Sequence, residues 1–206
     1  MKIVGILLAA GRGKRFDASG VQNKLLQPVA GHASIAAASA HAMLAALPCV
    51  IAVVPQNAAA KALAQVLRHA GCEVTACPDA GLGMGASLVH ALRHSLPGAD
   101  GWIIALADMP YVAPGTIAAL RAALEDGAGI AAPFYHGQRG NPVAFGARYL
   151  QHLLALEGDQ GARSILAANV VTKVEVNDPG ILHDIDTPSD LDKTGTLPVG
   201  GQAEAS

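Results

Sequence analysis

Aromatic residues and charged residues are both scarce in this chain. Of its 206 residues, 3% are Phe, Trp or Tyr and 15% are Asp, Glu, Lys or Arg, and the formal net charge is −2. A surface that binds nucleic acid needs a basic face and stacking rings, so this composition argues against a nucleic-acid partner. A small anionic ligand remains compatible, because it needs only local positive charge.

Cysteines and long apolar runs are scarce as well. The three cysteines, Cys49, Cys72 and Cys77, have no C-x-x-C spacing, so neither a disulfide framework nor a zinc site is indicated. No stretch reaches the roughly 18 consecutive apolar residues that a membrane helix requires. The apolar run after Met1-Lys2 is followed by basic residues and predicts a strand rather than a signal peptide. We therefore expect a cytoplasmic protein without membrane contact.

The chain does have a regular alternation of apolar segments. Hydrophobic residues make up 51% of the sequence, enough for one substantial core. Short β-branched runs predict strands at 3–9, 50–54, 73–76, 102–107, 129–132 and 170–176. Ala/Leu-rich segments between them predict helices at 34–46, 58–70, 85–94, 114–124 and 147–156. This alternation predicts an α/β fold, with a mostly parallel sheet covered by helices on both faces. We expect one domain over residues 1–192 and a disordered tail at 193–206.

The segment Leu7 to Phe16 combines a strand end with glycine and positive charge. Its apolar run stops at Gly11 and Gly13, and three cations stand close by: Arg12, Lys14 and Arg15. Glycine lets backbone N–H groups surround an anion, and Arg and Lys neutralise it, so the segment is a candidate phosphate cradle. It is not a P-loop, because G-x-x-x-x-G-K-[ST] appears nowhere in the chain. It is not a dinucleotide fingerprint either, since Phe16 stands at the third glycine position. An ordinary strand-to-helix turn with exposed basic residues is the alternative.

Two further turns are candidates for ligand binding. In parallel sheets, ligands bind beyond the carboxyl ends of the strands. After the third predicted strand, a loop opens a helix with alternating glycines: Gly81, Gly83 and Gly85. There Ser87 and the helix N-terminus could donate to a base or sugar, whereas the alternative is a plain flexible loop. Asn141 stands in a turn that is predicted to lead into an edge strand, and it could bond either a ligand or its own backbone.

Carboxylates follow the fourth predicted strand and recur near the end of the chain. Asp108 ends an apolar strand, where it is well placed to hold a divalent cation against phosphates, although Asp also begins many turns. Asp184 and Asp186 would point the same way in an extended chain. Thr187 and Asp190 indicate a helix start, so one of these carboxylates could be only a cap.

Taken together, these motifs resemble those of the MobA-like nucleotidyltransferases, and most closely those of the molybdenum cofactor cytidylyltransferases. Each motif is common by itself, but the ordered series is specific, and it spans about residues 3 to 192. The motifs are Leu8-Ala9-Ala10-Gly11 with Arg15 and Lys24, Gly83-Met84-Gly85-Ala86-Ser87-Leu88, Ala107-Asp108-Met109-Pro110, Gly140-Asn141-Pro142-Val143, Gly158-Asp159-Gln160-Gly161-Ala162-Arg163 and Asp184-Ile185-Asp186-Thr187-Pro188.

The resemblance implies a Rossmann-like nucleotidyltransferase fold and a reaction. The reaction is transfer of CMP from CTP to a phosphorylated molybdopterin-type acceptor, with release of pyrophosphate, in molybdenum cofactor biosynthesis. The implied substrates are an NTP and a pterin phosphate, and the implied cofactor is Mg²⁺. For this family, transient contact with a molybdoenzyme or its chaperone is also an expectation.

The resemblance also implies roles for individual residues. Arg15, Lys24 and Asp108 would be catalytic, with Mg²⁺ on Asp108 and on Asp186 or, as second choice, Asp184. Asn141 would contact the acceptor. The implied nucleotide-binding residues are Leu8, Ala9, Ala10, Gly11, Gly13, Arg15, Lys24, Asp79, Gly85 and Ser87. Three features depart from the family pattern: Asp17 in place of a glycine, a longer interval from Arg15 to Lys24, and Asn141 in place of a histidine.

Two alternatives to this function remain open. One keeps the fold but makes the protein a guanylyltransferase of molybdopterin or of another small phosphorylated metabolite. Ala10, where the guanine-using branch usually has a second glycine, favours cytosine. The other is a Rossmann-type redox or nucleotide-binding module that uses the loop at 81–85. That loop follows the third strand rather than the first, and no acidic residue stands at the expected distance beyond it.

Overall fold

The computed structural model describes residues 1–11, 13, 15–17, 22–29, 31–158 and 161–192. Four residues of the predicted motifs, Arg12, Lys14, Asp159 and Gln160, lie outside the described residues. The predicted tail, 193–206, lies outside them too. No helix of the described part is long and apolar enough to cross a membrane.

The described residues form one mostly parallel sheet, and this confirms the predicted fold class. Its strands are β1 (Ile3–Leu8), β2 (Val50–Pro55), β3 (Glu73–Cys77), β4 (Gly101–Leu106), β5 (Ile130–Tyr135), β6 (Gln138–Arg139), β7 (Val143–Gly146) and β8 (Thr172–Glu175). The order is β3-β2-β1-β4-β7-β5, and β6 and β8 also pair with β5. Strands β1 to β4 run parallel, whereas β7 is antiparallel to both of its neighbours.

Helices connect the strands. They are α1 (Ile35–Ala46), α2 (Lys61–His69), α3 (Met84–His94), α4 (Pro114–Glu125), α5 (Leu150–Leu154), α6 (Arg163–Ala168) and α7 (Pro188–Asp192). Their starts follow local chemistry. The Ser34 side chain accepts from the Ala37 N–H at 3.2 Å and caps α1. Pro114 opens α4, where its fixed φ suits the first helical position.

Apolar side chains fill both faces of the sheet. Successive residues of a strand point to opposite faces, and β1 is buried along its whole length. Ile3, Leu7 and Ala9 pack in the core shared with α1, α2 and α4. Val4, Ile6 and Leu8 pack in the core shared with α3, α5 and α6. A strand buried on both sides explains why the first apolar run shows no alternation with polar residues.

Several elements differ from the sequence prediction. The predicted edge strand after Asn141 is wrong, because β7 pairs with both β4 and β5 and all four of its residues are buried. The predicted helix 147–156 is shorter: a 3₁₀ turn, Ala147–Tyr149, precedes α5. Helix α6 was not predicted, because a six-residue helix is too short to show a period.

Candidate active site

The loops that carry the predicted motifs begin at one edge of the sheet. Strands β1 to β4 are parallel, so their carboxyl ends share that edge. Leu8, the last residue of β1, lies opposite Leu106, the last residue of β4. The Ala107 N–H then donates to the Leu8 carbonyl at 3.0 Å. The glycine-containing loop after β1 and the loop of Asp108 after β4 therefore start side by side.

Asn141 reaches the same edge from the opposite direction. Because β7 is antiparallel to β4, its first residues lie beside the end of β4. Val143 lies opposite Ile104, and Asn141 lines one cavity together with Leu106 and Met109. The half-buried Asn141 donates its backbone N–H to the Ile181 carbonyl at 3.0 Å. The residue expected to contact the acceptor is therefore close in the fold to the loop of Asp108.

Four charged side chains form an ion-pair cluster beyond this edge. The Lys24 Nζ lies 2.8 Å from Oδ2 of Asp108 and 3.3 Å from Oδ1 of Asp186. The other oxygen of Asp186, Oδ2, lies 2.7 Å from Nη1 of Arg15. Lys24 is only 8% exposed, and a buried ammonium group is stable only beside compensating charge. The structure thus brings together residues that stand 171 positions apart at the extremes, from Arg15 to Asp186.

The local backbone fixes Lys24 in this position. Lys24 begins a 3₁₀ turn, Lys24–Leu26, that Asn23 caps by accepting from the Leu25 N–H at 3.0 Å. Gly13, with a left-handed φ of 57°, accepts from the Phe16 N–H at 2.9 Å and turns the chain back. A Cβ at Gly13 would lie 3.7 Å from Cβ of Lys24. The long interval between Arg15 and Lys24 therefore does not keep Lys24 from Asp108.

Asp186 is held by contacts on either side of it. The buried Ile185 donates its N–H to the Asp108 carbonyl at 2.9 Å. One oxygen of Asp190 accepts from the Thr187 N–H at 2.8 Å, from the Thr187 hydroxyl at 2.7 Å and from the Asp186 N–H at 3.2 Å. Asp190 stands in the first turn of α7 and its side chain reaches back to the residues that precede the helix, so the predicted helix start is confirmed. The carboxylate of Asp186 is left to face Lys24 and Arg15.

Residues 5–174 match the MobA-like NTP transferase domain family. The chain belongs to this family. It is 29% identical over 199 residues to the purine catabolism protein PucB of Bacillus subtilis, covering 92% of this chain and 94% of that one. It is 34% identical over 154 residues to the phosphoenolpyruvate guanylyltransferase of Sphaerobacter thermophilus, covering 69% and 70%.

Solved structures agree with the family assignment. The Rv0371c protein of Mycobacterium tuberculosis in complex with manganese is similar with a TM-score of 0.79 and 25% identity, covering 96% of this chain and 100% of that one. A nucleotidyl transferase from Methanothermobacter is similar with a TM-score of 0.74 and 27% identity, covering 92% and 94%. The Archaeoglobus fulgidus molybdopterin-guanine dinucleotide biosynthesis protein A, at 19% identity and a TM-score of 0.64 over 93% and 96%, shares the fold.

A third carboxylate, Asp184, lies near the ion-pair cluster of this MobA-like transferase. Desolvation by burial, and to a smaller extent the charge of Asp186, raises the pKa of the Asp184 carboxyl above its ordinary value. Oδ1 of Asp108 is buried and has no hydrogen-bond partner in the described part of the chain. An acceptor in that state favours an additional cation or donor.

The cluster fits a Mg²⁺-type site. Carboxylate oxygens are hard ligands, and Mg²⁺ is commonly held by one or two of them together with water and substrate phosphates. Asp108 and Asp186 supply two such groups within reach of one ammonium nitrogen, and Oδ1 of Asp108 is unsatisfied. Among the described residues, no group of three or more His, Cys, Asp or Glu side chains is arranged as an all-protein metal cage. A site that depends on substrate for its remaining ligands is consistent with both observations.

The first loop offers backbone rather than side chains to a ligand. The side chains of Leu8, Ala9 and Ala10 are at most 9% exposed and belong to the core. Gly11 is exposed, and a Cβ there would meet nothing within 4 Å. Among the described residues of this segment, Arg15 presents an exposed charged side chain to a ligand, with 77% of that side chain accessible.

The loop after β3 lies farther along the same edge. Strands β2 and β1 separate β3 from β4, so these two strands lie about 14 Å apart, three strand spacings. Asp79 precedes a 3₁₀ turn, Ala80–Leu82, and the Gly85 N–H donates to the Gly158 carbonyl at 2.8 Å. The hydroxyl of the buried Ser87 is directed at the Gly83 carbonyl, 3.5 Å away.

Two exposed apolar side chains, in this loop and at the start of α3, were not predicted to be functional residues. Leu82 is 67% exposed and Met84 is 44% exposed. The sequence also assigned Lys24 to phosphates, and its pairing with both carboxylates was not predicted. A signal for that pairing exists only in three dimensions, because the ion pairs bridge separations of 84 and 162 residues.

Proposed function

We propose that this protein transfers CMP from CTP to a phosphorylated molybdopterin-type acceptor and releases pyrophosphate. The observation that carries the proposal is the cluster of Lys24, Asp108, Asp186 and Arg15 beside the glycine-containing loop. Two carboxylates that can hold a cation and two cations that can hold phosphate are the groups that phosphoryl-type transfer requires. Family membership supports nucleotidyl transfer as the reaction class.

The bond changes need little covalent chemistry from the protein. A phosphate oxygen of the acceptor attacks the α-phosphorus of CTP, and the bond from that phosphorus to the oxygen bridging to the β-phosphorus breaks. Pyrophosphate leaves with that oxygen and its electron pair. No general base is needed, because a phosphate monoester with a second pKa of about 6 is largely dianionic at pH 7. The charge that develops on the leaving group would be neutralised by Arg15 and Lys24.

Asp108 and Asp186 would hold Mg²⁺. A bound Mg²⁺ neutralises phosphate oxygens and aligns the leaving group. The structural relative from Mycobacterium tuberculosis was determined in complex with manganese, which supports a divalent cation in this fold. Lys24 can neutralise either the carboxylates or a phosphate, because its ammonium group lies between Asp108 and Asp186 near the first loop.

Cytosine is favoured over guanine by Ala10. The guanine-using branch of the family usually has a second glycine at this position. Guanylyl transfer is the second candidate, because a relative that is 34% identical is named a phosphoenolpyruvate guanylyltransferase. We place the activity in the cytoplasm, in one domain over residues 1–192, with transient delivery of the product to a molybdoenzyme or its chaperone.

The test is turnover with a panel of nucleotides and acceptors. Purified protein with Mg²⁺ is given CTP, GTP, ATP or UTP, each with phosphorylated molybdopterin, with phosphoenolpyruvate or with no acceptor. Pyrophosphate release and the mass of the acceptor product are measured. We expect the fastest release with CTP and molybdopterin, and a product heavier by one CMP unit. Turnover with GTP and an acceptor, but with no other nucleotide, would establish the second candidate. No turnover with any pair of nucleotide and acceptor would refute nucleotidyl transfer to these acceptors.

A further inference from the structure

Asp178 is a buried carboxylate outside the ion-pair cluster. It is 7% exposed, and a carboxylate is rarely buried unless hydrogen bonds compensate its charge. Oδ2 accepts from the Ala113 N–H at 2.8 Å and from the Thr116 hydroxyl at 2.6 Å. Oδ1 accepts from the Gly180 N–H at 3.0 Å. All three donors belong to the segments on either side of the proposed cation site.

One oxygen of Asp178 fixes the start of α4. Ala113 precedes α4 and offers no capping side chain of its own, so Asp178 supplies the acceptor from 65 residues away. A negative charge at a helix N-terminus is also favoured by the helix dipole. Helix α4 follows the loop that begins with Asp108, so this contact anchors the far end of that loop.

The other oxygen fixes the segment that leads to Asp186. Gly180 lies in the 3₁₀ turn Pro179–Leu182, and a Cβ there would overlap the carbonyl oxygen of Tyr111. The chain then continues to Ile185, which donates to the Asp108 carbonyl at 2.9 Å. Asp178 therefore joins, through its two oxygens, the segment that carries Asp108 and the segment that carries Asp186.

We propose that Asp178 is the positioning residue of the cation site: its buried carboxylate sets the placement of Asp186 relative to Asp108. This inference rests on the proposed function, in which Asp108 and Asp186 hold the cation. Asp178 contacts neither of them and is not a catalytic residue. Groups that hydrogen-bond metal ligands directly change metal affinity by about 10–100-fold when replaced, and Asp178, which acts through the backbone of the two segments, should have an effect near the lower end of that range.

The test measures cation binding without nucleotide or acceptor. Binding of Mn²⁺ alone is followed by electron paramagnetic resonance, with Mg²⁺ and Ca²⁺ as competitors. In Asp178→Asn we expect Mn²⁺ affinity to fall by at least about ten-fold. Mg²⁺ should lose more than Ca²⁺, because Mg²⁺ demands stricter geometry. Thr116→Val should lower Mn²⁺ affinity and the preference for Mg²⁺ over Ca²⁺ in the same direction as Asp178→Asn, but by less. Thr116→Ser, which keeps the hydroxyl, should bind like the wild type.

A stability control separates positioning from folding. Leu124→Val, at a buried position in the last turn of α4, should lower the melting temperature without changing cation affinity or the Mg²⁺ to Ca²⁺ preference. The inference is overturned if Leu124→Val weakens binding as much as Asp178→Asn at equal stability loss, or if both Asp178→Asn and Thr116→Val bind like the wild type. A wild-type protein that binds no Mn²⁺ also overturns it. If Asp178→Asn does not fold, the Mn²⁺ affinity of Thr116→Val is compared with that of Leu124→Val instead, and wild-type affinity in Thr116→Val overturns the inference. An inactive wild type that binds Mn²⁺ refutes the proposed function alone.

Discussion

At the scale of single residues, Lys24 is the most constrained side chain of the site. Its ammonium nitrogen lies within 3.3 Å of both Asp108 and Asp186, while the residue is 8% exposed. Removing one member of a buried ion pair leaves the remaining charges uncompensated, and this usually costs more than the pair contributed. Lys24 therefore affects both stability and the affinity of the carboxylates for other cations.

Replacing Lys24 by Met should destabilise the ligand-free protein by roughly 1–3 kcal/mol, the cost of leaving buried acceptors unsatisfied. Mn²⁺ should then raise the melting temperature more than it does in the wild type, because it no longer competes with the ammonium group. Thermal unfolding with and without Mn²⁺ measures both effects. Lys61→Met, at an exposed lysine of α2, is the matched control. Equal responses of the two variants to Mn²⁺ would contradict this role of Lys24.

Arg15 should matter for catalysis and not for stability. Its side chain is 77% exposed, so its ion pair with Asp186 contributes at most about 1 kcal/mol to folding. A guanidinium holds two phosphate oxygens at once with a rigid planar fork of donors, whereas the Lys ammonium group is a single point charge. In steady-state kinetics with CTP, both Arg15→Ala and Arg15→Lys should lose about ten-fold or more in kcat/KM. The exposed Arg93 of α3 supplies the control: a comparable loss in Arg93→Ala would remove the assignment.

Removing the charge of Asp184 should stabilise the protein in a pH-dependent way. Its folded-state pKa is raised, by burial first and then by Asp186, so ionisation of Asp184 disfavours the folded state as the pH rises through that pKa. Asp184→Asn should therefore be more stable than the wild type at pH 7, by less than about 1 kcal/mol for a solvent-screened charge. The difference should vanish below the ordinary carboxyl pKa. Urea unfolding at several pH values measures it, and a constant difference would rule out this explanation.

At the scale of elements, periodicity and turn residues were enough to predict most of the strands and helices. The strands β1 to β4 and the helices α1 to α4 lie where apolar runs and helical segments indicated them. The inner position of β7 was not predictable, because which strand it pairs with depends on partners far along the chain. Its four residues are all buried, and a short buried run is compatible with many positions in a sheet.

Helix caps give a prediction at the element scale. The exposed Asn57 accepts from the Ala60 N–H at 2.9 Å and caps the turn Ala58–Ala60 that leads into α2. Asn57→Ala should lower the free energy of unfolding by about 1 kcal/mol. Asn57→Asp keeps the acceptor and should be close to the wild type. If chemical denaturation gives both variants the same stability, the cap contributes nothing at this position.

At the scale of the whole molecule, the strand order places the candidate site. Strand β1 lies between β2 and β4, so the glycine-containing loop lies between the loop after β3 and the loop of Asp108. The rule that ligands bind beyond the carboxyl ends of parallel strands predicted this edge from the sequence. The ion pairs were beyond prediction, because Arg15, Lys24, Asp108 and Asp186 meet only when four separate segments fold together.

We propose that Asp108 serves phosphoryl-type chemistry at this edge of the sheet and is not simply a turn residue. The most direct measurement is pyrophosphate release from CTP with phosphorylated molybdopterin and Mg²⁺ by the wild type and by Asp108→Ala, alongside their thermal unfolding. Asp126→Ala, at an exposed carboxylate after α4, is the control. We predict at least about a hundred-fold loss of release in Asp108→Ala with the fold intact, since metal-assisted charge stabilisation is worth several kcal/mol. Release by a folded Asp108→Ala within a few-fold of the wild type would contradict the account.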